Sequence, residues 1–482
     1  MNKLHSTVSR RDFMKVLGLA GAGLGTAAAA APVFHDLDEV IASPQANWKR
    51  PWYVKEVDQP TLELDWAQIK RYSENDNMRG SHRAEYMDTY LPREEQDARS
   101  ALKKEKEAEW LTAGRPGYNV RDNALSGSAG KGSVGWDFLG PQRTSPATPW
   151  QGTPEENAHM LRAAMRLFGA MTVGYMQLDA QTENVVFSRE RGDKISNVFR
   201  DVDKAEIRDT GGGFTEHVIP NKARWVILYS DQESQELWKR NPTNMTIQVR
   251  YGRGQNIQQR VQEFTQRLGY QTLGAFSTNA LVIAPFAGAM CGVGEIGRTN
   301  RILTPEYGPT VGVFGLITDL PLAPTKPVDA GLFRFCHTCK KCAEACGEGA
   351  LSFDDEPTWD VSGPWNNPGH NTFFEDSRKC RTWKLLPEAC KAGRCFASCT
   401  FTKYHESNIH QLVQGTLATV PTFNGFFRTM DDAFGYGLRG RRHDDFDTGP
   451  REVVDAAQED WWNLNLPIMG IDSTVGAQRG IS

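Results

Sequence analysis

Eight of the nine cysteines in this 482-residue chain lie between positions 336 and 399, and this window constrains the fold more than any other feature. The first four have the spacing C-x2-C-x2-C-x3-C and are Cys336, Cys339, Cys342 and Cys346. The other four are separated by nine, four and three residues and are Cys380, Cys390, Cys395 and Cys399. The first spacing is typical of a loop that wraps a [4Fe–4S] cluster. Because each cluster takes four thiolates, eight cysteines predict two clusters with none left over.

The ligand assignment follows the pattern of two-cluster ferredoxins, where the fourth cysteine of such a run binds the other cluster. The predicted ligands of the first cluster are Cys336, Cys339, Cys342 and Cys399. The predicted ligands of the second cluster are Cys346, Cys380, Cys390 and Cys395. Two features depart from the usual pattern. Gly347 stands where a proline normally follows the run, and the second group has irregular gaps.

Two other uses of these cysteines stay open at this point. A structural zinc site needs two CxxC or Cys/His pairs, which the chain can supply, and disulfides are the second alternative. The ninth cysteine, Cys291, lies in the apolar run 287–293. A free cysteine in such a run is commonly a small buried hydrophobe, so we expect Cys291 to bind no cluster.

The N-terminus has the layout of a twin-arginine export signal. Arg10 and Arg11 precede an apolar run from Val16 to Ala31, which is shorter than the roughly 20 residues that span a bilayer as a helix. A buried N-terminal helix, the alternative, does not explain the paired arginines or the many Gly and Ala residues. We therefore predict a removable signal over residues 1–42. Export would take place with the clusters already inserted, because unfolding would strip them out.

Composition excludes one class of partner and favours one class of substrate. The net charge is −4 and 24% of the residues are charged, so nothing indicates nucleic acid as a ligand. The 13 tryptophans and 23 phenylalanines suit a core or an interface, and they would also suit a large dry pocket for an apolar substrate.

Without the signal about 440 residues remain, enough for two or three domains. Residues 43–150 are polar, with one helical stretch around 93–111, and are expected to wrap the surface. Residues 151–327 are expected to form an α/β domain and 328–404 the cysteine-rich module. Residues 405–482 form an aromatic-rich segment with a helix near 411–416.

Hydrophobic patterning within the region 151–327 supports the α/β prediction. The predicted elements are a helix over 154–167, a strand over 224–228, a helix over 255–268 and a strand over 280–285. Strand, helix and strand in succession indicate an α/β fold.

Three motifs ahead of the first cysteine run carry a family resemblance. They are Gly294-Glu295-Ile296-Gly297-Arg298, Leu303-Thr304-Pro305-Glu306-Tyr307-Gly308-Pro309 and Thr318-Asp319-Leu320-Pro321-Leu322. With the export signal, the cysteine window and the tail motifs Phe423-Asn424-Gly425-Phe426-Phe427 and Gly435-Tyr436-Gly437, the chain resembles the respiratory reductive dehalogenases. The resemblance implies a nitroreductase-like corrinoid-binding core followed by a ferredoxin-like module with two [4Fe–4S] clusters. It also implies reductive removal of halide from a small organohalide, with chlorinated ethenes and alkanes as favoured substrates.

The residues are compatible with that chemistry. Hydrogenolysis of a carbon–halogen bond consumes two electrons and one proton, so the protein has to deliver low-potential electrons and an acid. No side chain performs the step alone, and a cofactor would do this chemistry while the protein orients it. The common cobalamin motif Asp-x-His-x-x-Gly is absent. Its absence agrees with a corrinoid that lacks a histidine lower ligand, as in this family.

The resemblance further implies a tyrosine as proton donor. The best matching position is Tyr251, with Asn279 as a neighbour and Arg298 as the cation that would stabilise the phenolate. Many members carry an arginine shortly after the Tyr-Gly-Pro stretch, where this chain has Gly312, so Arg301 or a cation from elsewhere in the chain is an alternative to Arg298. An ordinary structural role stays open for Tyr251, Asn279 and Arg298.

The loop between the two cysteine groups is a further candidate site. It contains Trp365-Asn366-Asn367-Pro368-Gly369-His370, and its Gly and Asn residues permit close backbone approach to a corrinoid. A simple turn is the alternative interpretation of this loop.

The resemblance implies partners and a location as well. A family member would be peripheral on the outer face of the cytoplasmic membrane, with a small integral-membrane anchor protein and a respiratory electron donor. An epoxyqueuosine reductase-like corrinoid enzyme, one alternative, would lack an export signal and would carry a basic face for transfer RNA. An exported ferredoxin-type electron carrier, the other, would leave most of the chain unexplained.

Overall fold

The structure is a computed structural model that describes residues 50–76, 84–129, 132, 135–240, 244–387, 390, 393–403, 408–433, 459 and 461–463. The predicted export signal and the Gly435-Tyr436-Gly437 motif lie outside the described residues. In chain order the strands are β1 (Lys55–Glu56), β2 (Thr172–Gln177), β3 (Ile195–Arg200), β4 (Glu206–Gly211), β5 (Phe214–Pro220), β6 (Trp225–Gln232), β7 (Thr272–Leu273), β8 (Glu295–Ile296), β9 (Ile302–Leu303), β10 (Val311–Thr318) and β11 (Val328–Asp329).

The helices alternate with these strands in the middle of the chain and dominate its C-terminal part. They are α1 (Ala84–Asp88), α2 (Arg93–Thr112), α3 (Val120–Ala129), α4 (Pro154–Leu167), α5 (Gln235–Arg240), α6 (Asn244–Leu268), α7 (Ala284–Met290), α8 (Leu332–Cys339), α9 (Lys341–Glu344), α10 (Ser377–Trp383), α11 (Arg394–Ser398), α12 (Asn408–Thr419) and α13 (Asn424–Ala433). None of the helices in the described part is both long enough and apolar enough to cross a bilayer.

A four-stranded sheet with the order β2-β6-β10-β7 forms the centre of the fold, and each neighbouring pair is antiparallel. Strands β6 and β10 pair over their whole length, from Gln232 opposite Val311 to Trp225 opposite Thr318. Helices α6 and α7 both pack on these two strands. Because both faces are covered, β6 is a nearly continuous buried apolar run up to Tyr229.

The mixture of helices and strands agrees with the predicted α/β class, but the central sheet is not the parallel sheet that strand–helix–strand units usually build. The second sheet, β3-β5-β4, contains a parallel pair, β3 with β5. Strands β2, β3, β4, β5 and β10 were not among the predicted elements.

Helix α4 has the bounds that the sequence predicts. The Thr153 hydroxyl accepts a hydrogen bond from the Glu156 N–H at 3.2 Å, and the Glu156 carboxylate accepts one from the Thr153 N–H at 2.8 Å. This capping box explains why the helix begins at Pro154. Helices α6 and α12 extend beyond their predicted ends, because packing of their apolar faces stabilises turns that propensity alone does not favour.

The strand predicted over 280–285 is wrong. The only pairing there is an isolated bridge between Val186 and Val282, and helix α7 begins at Ala284. Asn279 and Leu281 have φ of 69° and 70°, a left-handed backbone that interrupts a strand. The apolar composition of this segment therefore reflects a buried turn and the start of a helix.

The polar region ahead of α4 is tied to the rest of the chain by backbone contacts. Strand β1 pairs with β11, and Arg71 donates hydrogen bonds to the carbonyls of Val186, Phe187 and Asn197. The Tyr72 hydroxyl donates to the Pro364 carbonyl at 2.7 Å. The segment thus reaches both the region around the central sheet and the loop between the cysteine groups.

Candidate active site

A cavity of about 400 Å³ lies against strand β10, helix α6 and the loop that precedes α10. About 2010 Å³ is free of atoms when the part open to solvent is included. Aromatic and aliphatic side chains form most of the wall, as in most ligand pockets. The polar side chains in the wall are Tyr72, Asn184, Arg250, Tyr251, Asn279, Asn300, Arg301, Asn366, Asn367, His370, Glu375, Ser377 and Lys384.

Helix α6 brings Tyr251 to this cavity. One turn beyond Tyr251, Gly254 allows the helix to lie close to β10, since a Cβ at this position would be 2.7 Å from Phe314. The Gly254 carbonyl accepts a hydrogen bond from the buried Tyr229 hydroxyl at 2.9 Å. These contacts fix the helix over the sheet, so the position of the Tyr251 ring is set by the fold.

The cation next to the Tyr251 hydroxyl is Arg250. Its Nη2 donates to the Tyr251 hydroxyl oxygen at 3.0 Å, and its Nη1 lies 3.5 Å from Glu233 Oε1. Burial lowers the pKa of Arg250, but Tyr251 and Glu233 outweigh burial, so the pKa is raised above its ordinary value. A permanently charged guanidinium therefore contacts the hydroxyl that sequence analysis selected as proton donor.

Arg298, the predicted cation, has a different position, and its assignment as the partner of Tyr251 is corrected here. Its guanidinium donates to the carbonyl of Cys336 through Nε at 3.0 Å and Nη2 at 2.6 Å, and to the Ser352 carbonyl at 2.7 Å. It also stacks over Phe373 at 3.9 Å. These hydrogen bonds from the buried Arg298 guanidinium thus go to backbone carbonyls in and shortly after the first cysteine run.

Arg301, the alternative cation, lines the cavity but forms an ion pair with Glu375 at 3.1 Å. Asn279 lines the same cavity as Tyr251, and its side chain is exposed there. Of the three predicted catalytic residues, the structure therefore brings Tyr251 and Asn279 to one cavity and leaves Arg298 outside its wall.

The loop from Trp365 to His370 contributes five residues to the cavity wall, all except Gly369. The side-chain amide of Asn366 is hydrogen-bonded to Ser362 and to the Glu375 carbonyl, and that of Asn367 donates to the Lys70 carbonyl at 3.3 Å. Burial lowers the pKa of His370 to about 4, so its imidazole is neutral near pH 7. A corrinoid is a large ring with peripheral amides, and an open cavity lined by amide and apolar groups fits such a molecule.

Two buried carboxyl groups near Arg250 were missed by sequence analysis. Asp231 and Glu233 follow the apolar part of β6 and are each 1% exposed. Burial, then repulsion from Glu233, raises the pKa of Asp231 well above its ordinary value, and burial raises the pKa of Glu233 to about 7. The sequence contains a signal for these buried carboxyl groups, because two acidic residues at alternate positions directly follow a buried apolar run.

The first predicted group of cysteines comes together in the structure. Burial and then repulsion from Cys336, Cys339 and Cys399 raise the pKa of Cys342 well above its ordinary value. Burial followed by Cys336 and Cys339 likewise raises the pKa of Cys399. The four sulfurs of this group thus lie within electrostatic range of one another, although Cys399 is far from the other three in sequence.

The second predicted group lines a small cavity of about 30 Å³. Its cysteines are Cys346, Cys380, Cys390 and Cys395. The Ala350 N–H donates to Cys346 Sγ at 3.3 Å, and the N–H groups of Gly393 and Arg394 donate to Cys390 Sγ at 3.2 and 3.3 Å. Backbone donors to sulfur are among the features that tune an iron–sulfur site, so these residues fit a cluster.

The positions of the cysteines can be compared with the two alternative uses, disulfides and a structural zinc site. All nine cysteines are free, which excludes the disulfide alternative for this structure. Among the described residues, no three His, Cys, Asp or Glu side chains are grouped to hold a single metal ion. Ligands of a cubane bind different iron atoms and lie farther apart than the ligands of one tetrahedral zinc ion. Cys291 is fully buried in the apolar core, as expected.

The two cavities are neighbours. Glu375, Lys384 and Phe396 line both the large cavity and the one formed by the second cysteine group. The small cavity formed by the second group therefore adjoins the large cavity. None of the eight cysteines, all of which lie within the described residues, lines the large cavity itself.

Comparison with known proteins is consistent along the chain. A family described as "Dehalogenase: Reductive dehalogenase subunit" matches residues 49–147 and 131–322. The chain is 31% identical to a chloroethene reductive dehalogenase of Dehalococcoides mccartyi strain VS, over 98% of this chain and 99% of the relative. It is 29% identical to a trichloroethene reductive dehalogenase of another strain of that organism, over 97% and 98% of the two chains.

Among solved structures, the fold is similar to that of a reductive dehalogenase described with a mechanism for B12-dependent dehalogenation. The TM-score is 0.56 at 20% identity, and the match covers 80% of this chain and 49% of the solved one. The chain thus spans about half the length of that protein.

Proposed function

This chain belongs to the reductive dehalogenase family and is an oxidoreductase, and from this premise we propose how its cavity works. We propose that the large cavity binds a corrinoid together with a small chlorinated hydrocarbon, from which chloride is removed in organohalide respiration. The observation that carries the proposal is the joint position of Tyr251 and Arg250. They face a cavity that shares three lining residues with the second cysteine group.

The overall reaction sets what the chain has to supply. Two electrons and one proton convert a carbon–chlorine bond into a carbon–hydrogen bond and a chloride ion. A bound corrinoid would supply the reduced cobalt chemistry that breaks the carbon–chlorine bond. The protein then has to hold the substrate in a dry apolar space, deliver electrons and donate one proton at a defined atom.

Tyr251 is the proposed proton donor. A phenol with an ordinary pKa near 10 is protonated at neutral pH and can donate to carbon as negative charge develops there. The phenolate left behind is stabilised by Arg250, whose Nη2 already donates to the hydroxyl oxygen. Asn279, exposed in the same wall, would orient the substrate or the hydroxyl through its side-chain amide.

Electrons are proposed to reach the cavity through two [4Fe–4S] clusters. The ligands would be Cys336, Cys339, Cys342 and Cys399 for one cluster and Cys346, Cys380, Cys390 and Cys395 for the other. Burial of the cysteines and the N–H donors to sulfur support this assignment. The second cluster would be proximal to the cavity, since its cysteines line the adjoining space.

A chlorinated ethene is the first substrate to test. Two near-full-length relatives are named for chloroethene and trichloroethene, and the apolar, aromatic wall of the cavity suits a small molecule without charge. Export by the twin-arginine route, a position on the outer face of the membrane and a small membrane anchor are proposed from the sequence motifs.

The test uses the full mature chain, reconstituted anaerobically and reduced with an artificial donor. Chloride release is measured with chlorinated ethenes, chlorinated alkanes and haloaromatics, and the corrinoid bound to purified protein is quantified. We expect bound corrinoid and chloride release that is fastest with an ethene. A protein that carries clusters, binds no corrinoid and releases no chloride from any class would contradict the proposal.

A further inference from the structure

The buried carboxyl groups behind Arg250 have no role in the mechanism above. Neither oxygen of Asp231 has a hydrogen-bond partner among the described residues. Glu233 Oε2 accepts a hydrogen bond from Trp238 Nε1 at 3.0 Å, while Oε1 faces the Arg250 guanidinium. Because buried polar groups without partners destabilise a fold, a carboxyl group kept in this state calls for a functional explanation.

Gly312 makes room for this arrangement. It pairs with Asp231 across β6 and β10. A Cβ at position 312 would lie 2.2 Å from Asp231 Oδ1 and 2.8 Å from the Cβ of Arg250. The missing side chain therefore lets the carboxyl group of Asp231 and the base of the Arg250 side chain lie side by side. Asp231, Glu233, Arg250 and the Tyr251 hydroxyl form one continuous group, which we call the Tyr251 relay.

The charges around Asp231 come from two elements. Strand β6 contributes Tyr229 and Glu233, and helix α6 contributes Arg250 and Arg253. Arg253 donates to the Gln232 carbonyl at 2.7 Å. Strand β10 contributes only Gly312 at this point. Two guanidinium groups thus lie near two carboxyl groups. Both carboxyl groups are buried, while Arg250 also lines the large cavity.

Resting on the proposed role of Tyr251 as proton donor, we propose that Asp231 and Glu233 are positioning residues of the Tyr251 relay. Glu233 holds Arg250 against the Tyr251 hydroxyl through its ion pair, and the charges of both carboxyl groups decide how strongly the guanidinium favours the phenolate. While both carboxyl groups are neutral, the positive charges of Arg250 and Arg253 are not cancelled and Tyr251 is a stronger acid. Once both are ionised, the group is electrically balanced and Tyr251 is a weaker acid.

Burial supports the neutral state. It raises the pKa of both carboxyl groups, that of Glu233 to about 7. The neutral form of Glu233 is therefore populated near and below neutral pH, and burial favours the neutral form of Asp231 as well. The Tyr251 relay would keep its proton donor acidic in this range and weaken it as the pH rises.

The test measures the ionisation of Tyr251 directly, in the full chain. Phenolate absorbance is followed during a pH titration, and the same titration of a Tyr251→Phe protein in each background is subtracted. Asp231→Asn keeps the shape of the side chain but cannot ionise. We expect it to move the Tyr251 midpoint to lower pH by about one unit. Glu233→Gln, which retains an acceptor for Trp238, should shift the midpoint in the same direction.

Asp360→Asn is the matched control, because Asp360 is exposed and outside the cavity wall. Unchanged midpoints in both Asp231→Asn and Glu233→Gln would overturn the inference. If Asp231→Asn does not fold, the result for Glu233→Gln decides.

This test is independent of dehalogenation. If Tyr251→Phe retains full activity, Tyr251 is not the proton donor and the proposed function fails in that part, whatever the titration shows. If Tyr251→Phe is inactive and the midpoints do not move, only the role of the carboxyl groups fails.

Stability gives a second readout. A carboxyl group with a raised folded-state pKa stabilises the fold fully below its unfolded pKa, and this contribution is lost as the pH rises through the folded value. Because asparagine does not ionise, Asp231→Asn should remove this pH-dependent loss of stability. Its midpoint in chemical denaturation should therefore rise relative to the native chain as the pH is increased from about 4 upward. A constant difference across this range would contradict a buried, titrating Asp231.

Discussion

The two cysteine groups differ in how they are held. Around the first, cationic side chains bond to the backbone: Arg298 donates to the carbonyl of Cys336, and Arg428 donates to that of Cys339 at 2.8 Å. Backbone N–H groups donate to sulfur in both groups, to Cys339 and Cys399 in the first and to Cys346 and Cys390 in the second. Two arginine side chains thus fix the backbone of the first group, whereas the second group lines a cavity that adjoins the proposed substrate space.

This difference suggests a division of labour. We propose that the second site, which shares Glu375, Lys384 and Phe396 with the large cavity, delivers electrons and that the first site receives them. The following substitutions test that division, starting with the largest expected effect.

Cys395→Ser should have the largest effect. It removes a ligand of the cavity-side cluster, so iron should fall from about eight to about four atoms per chain and chloride release should be lost. Iron and sulfide analysis with electron paramagnetic resonance measures the first change, and the activity assay measures the second. Cys291→Ala is the matched control and should keep all the iron. Full activity with half the iron would break the assignment of the second group to electron delivery.

Cys336→Ser should halve the iron as well, but with a smaller loss of activity. A small artificial reductant can reduce the cavity-side cluster directly, and the remaining group adjoins the cavity. The comparison is the rate of chloride release per chain in Cys336→Ser and Cys395→Ser under the same donor. A larger loss in Cys336→Ser than in Cys395→Ser would reverse the proposed order of the clusters.

The variants Arg298→Met and Arg250→Lys distinguish the roles of the two arginines. Loss of the Arg298 hydrogen bonds to buried carbonyls should lower the free energy of unfolding by about 2 kcal/mol and weaken the first cluster signal, while the pH profile of the remaining activity stays the same. Arg250→Lys should change the pH profile and leave the iron content intact. The opposite pattern would restore Arg298 as the cation of the proton donor.

The smallest effect is expected away from both groups. Thr153→Ala removes the N-cap of α4 and should cost about 1 kcal/mol in chemical denaturation. Iron content and the rate per folded molecule should not change. A loss of iron in this variant would show that the cysteine groups respond to general destabilisation, and the preceding comparisons would lose their specificity.

The features that the sequence predicts correctly are those that depend on a few neighbouring residues. The spacing of the first cysteine run and the Thr-Pro start of α4 each depend on a few neighbouring residues, and the structure groups Cys336, Cys339 and Cys342 as that spacing predicts. Tyr251 and Asn279 were selected through a family resemblance and reach one cavity.

Sequence reasoning failed where position depends on tertiary packing. The sequence favours Arg298 or Arg301 as the cation and does not point to Arg250, whose position next to the Tyr251 hydroxyl follows from the placement of α6 over β10. The carboxyl groups of Asp231 and Glu233 become notable only when burial is known. The segment 280–285 has strand composition but a backbone that turns at Asn279 and Leu281.

The most direct test of the central claim compares two tyrosines that each lose one hydroxyl group. Tyr251 lines the cavity, whereas Tyr270 donates to the Trp150 carbonyl at 2.8 Å and is not part of the wall. Rates of chloride release are measured for Tyr251→Phe and Tyr270→Phe at matched iron and corrinoid content. We expect a loss of roughly 100-fold or more in Tyr251→Phe and the native rate in Tyr270→Phe. Equal rates in the two variants would contradict the assignment of Tyr251 as the proton donor of this cavity.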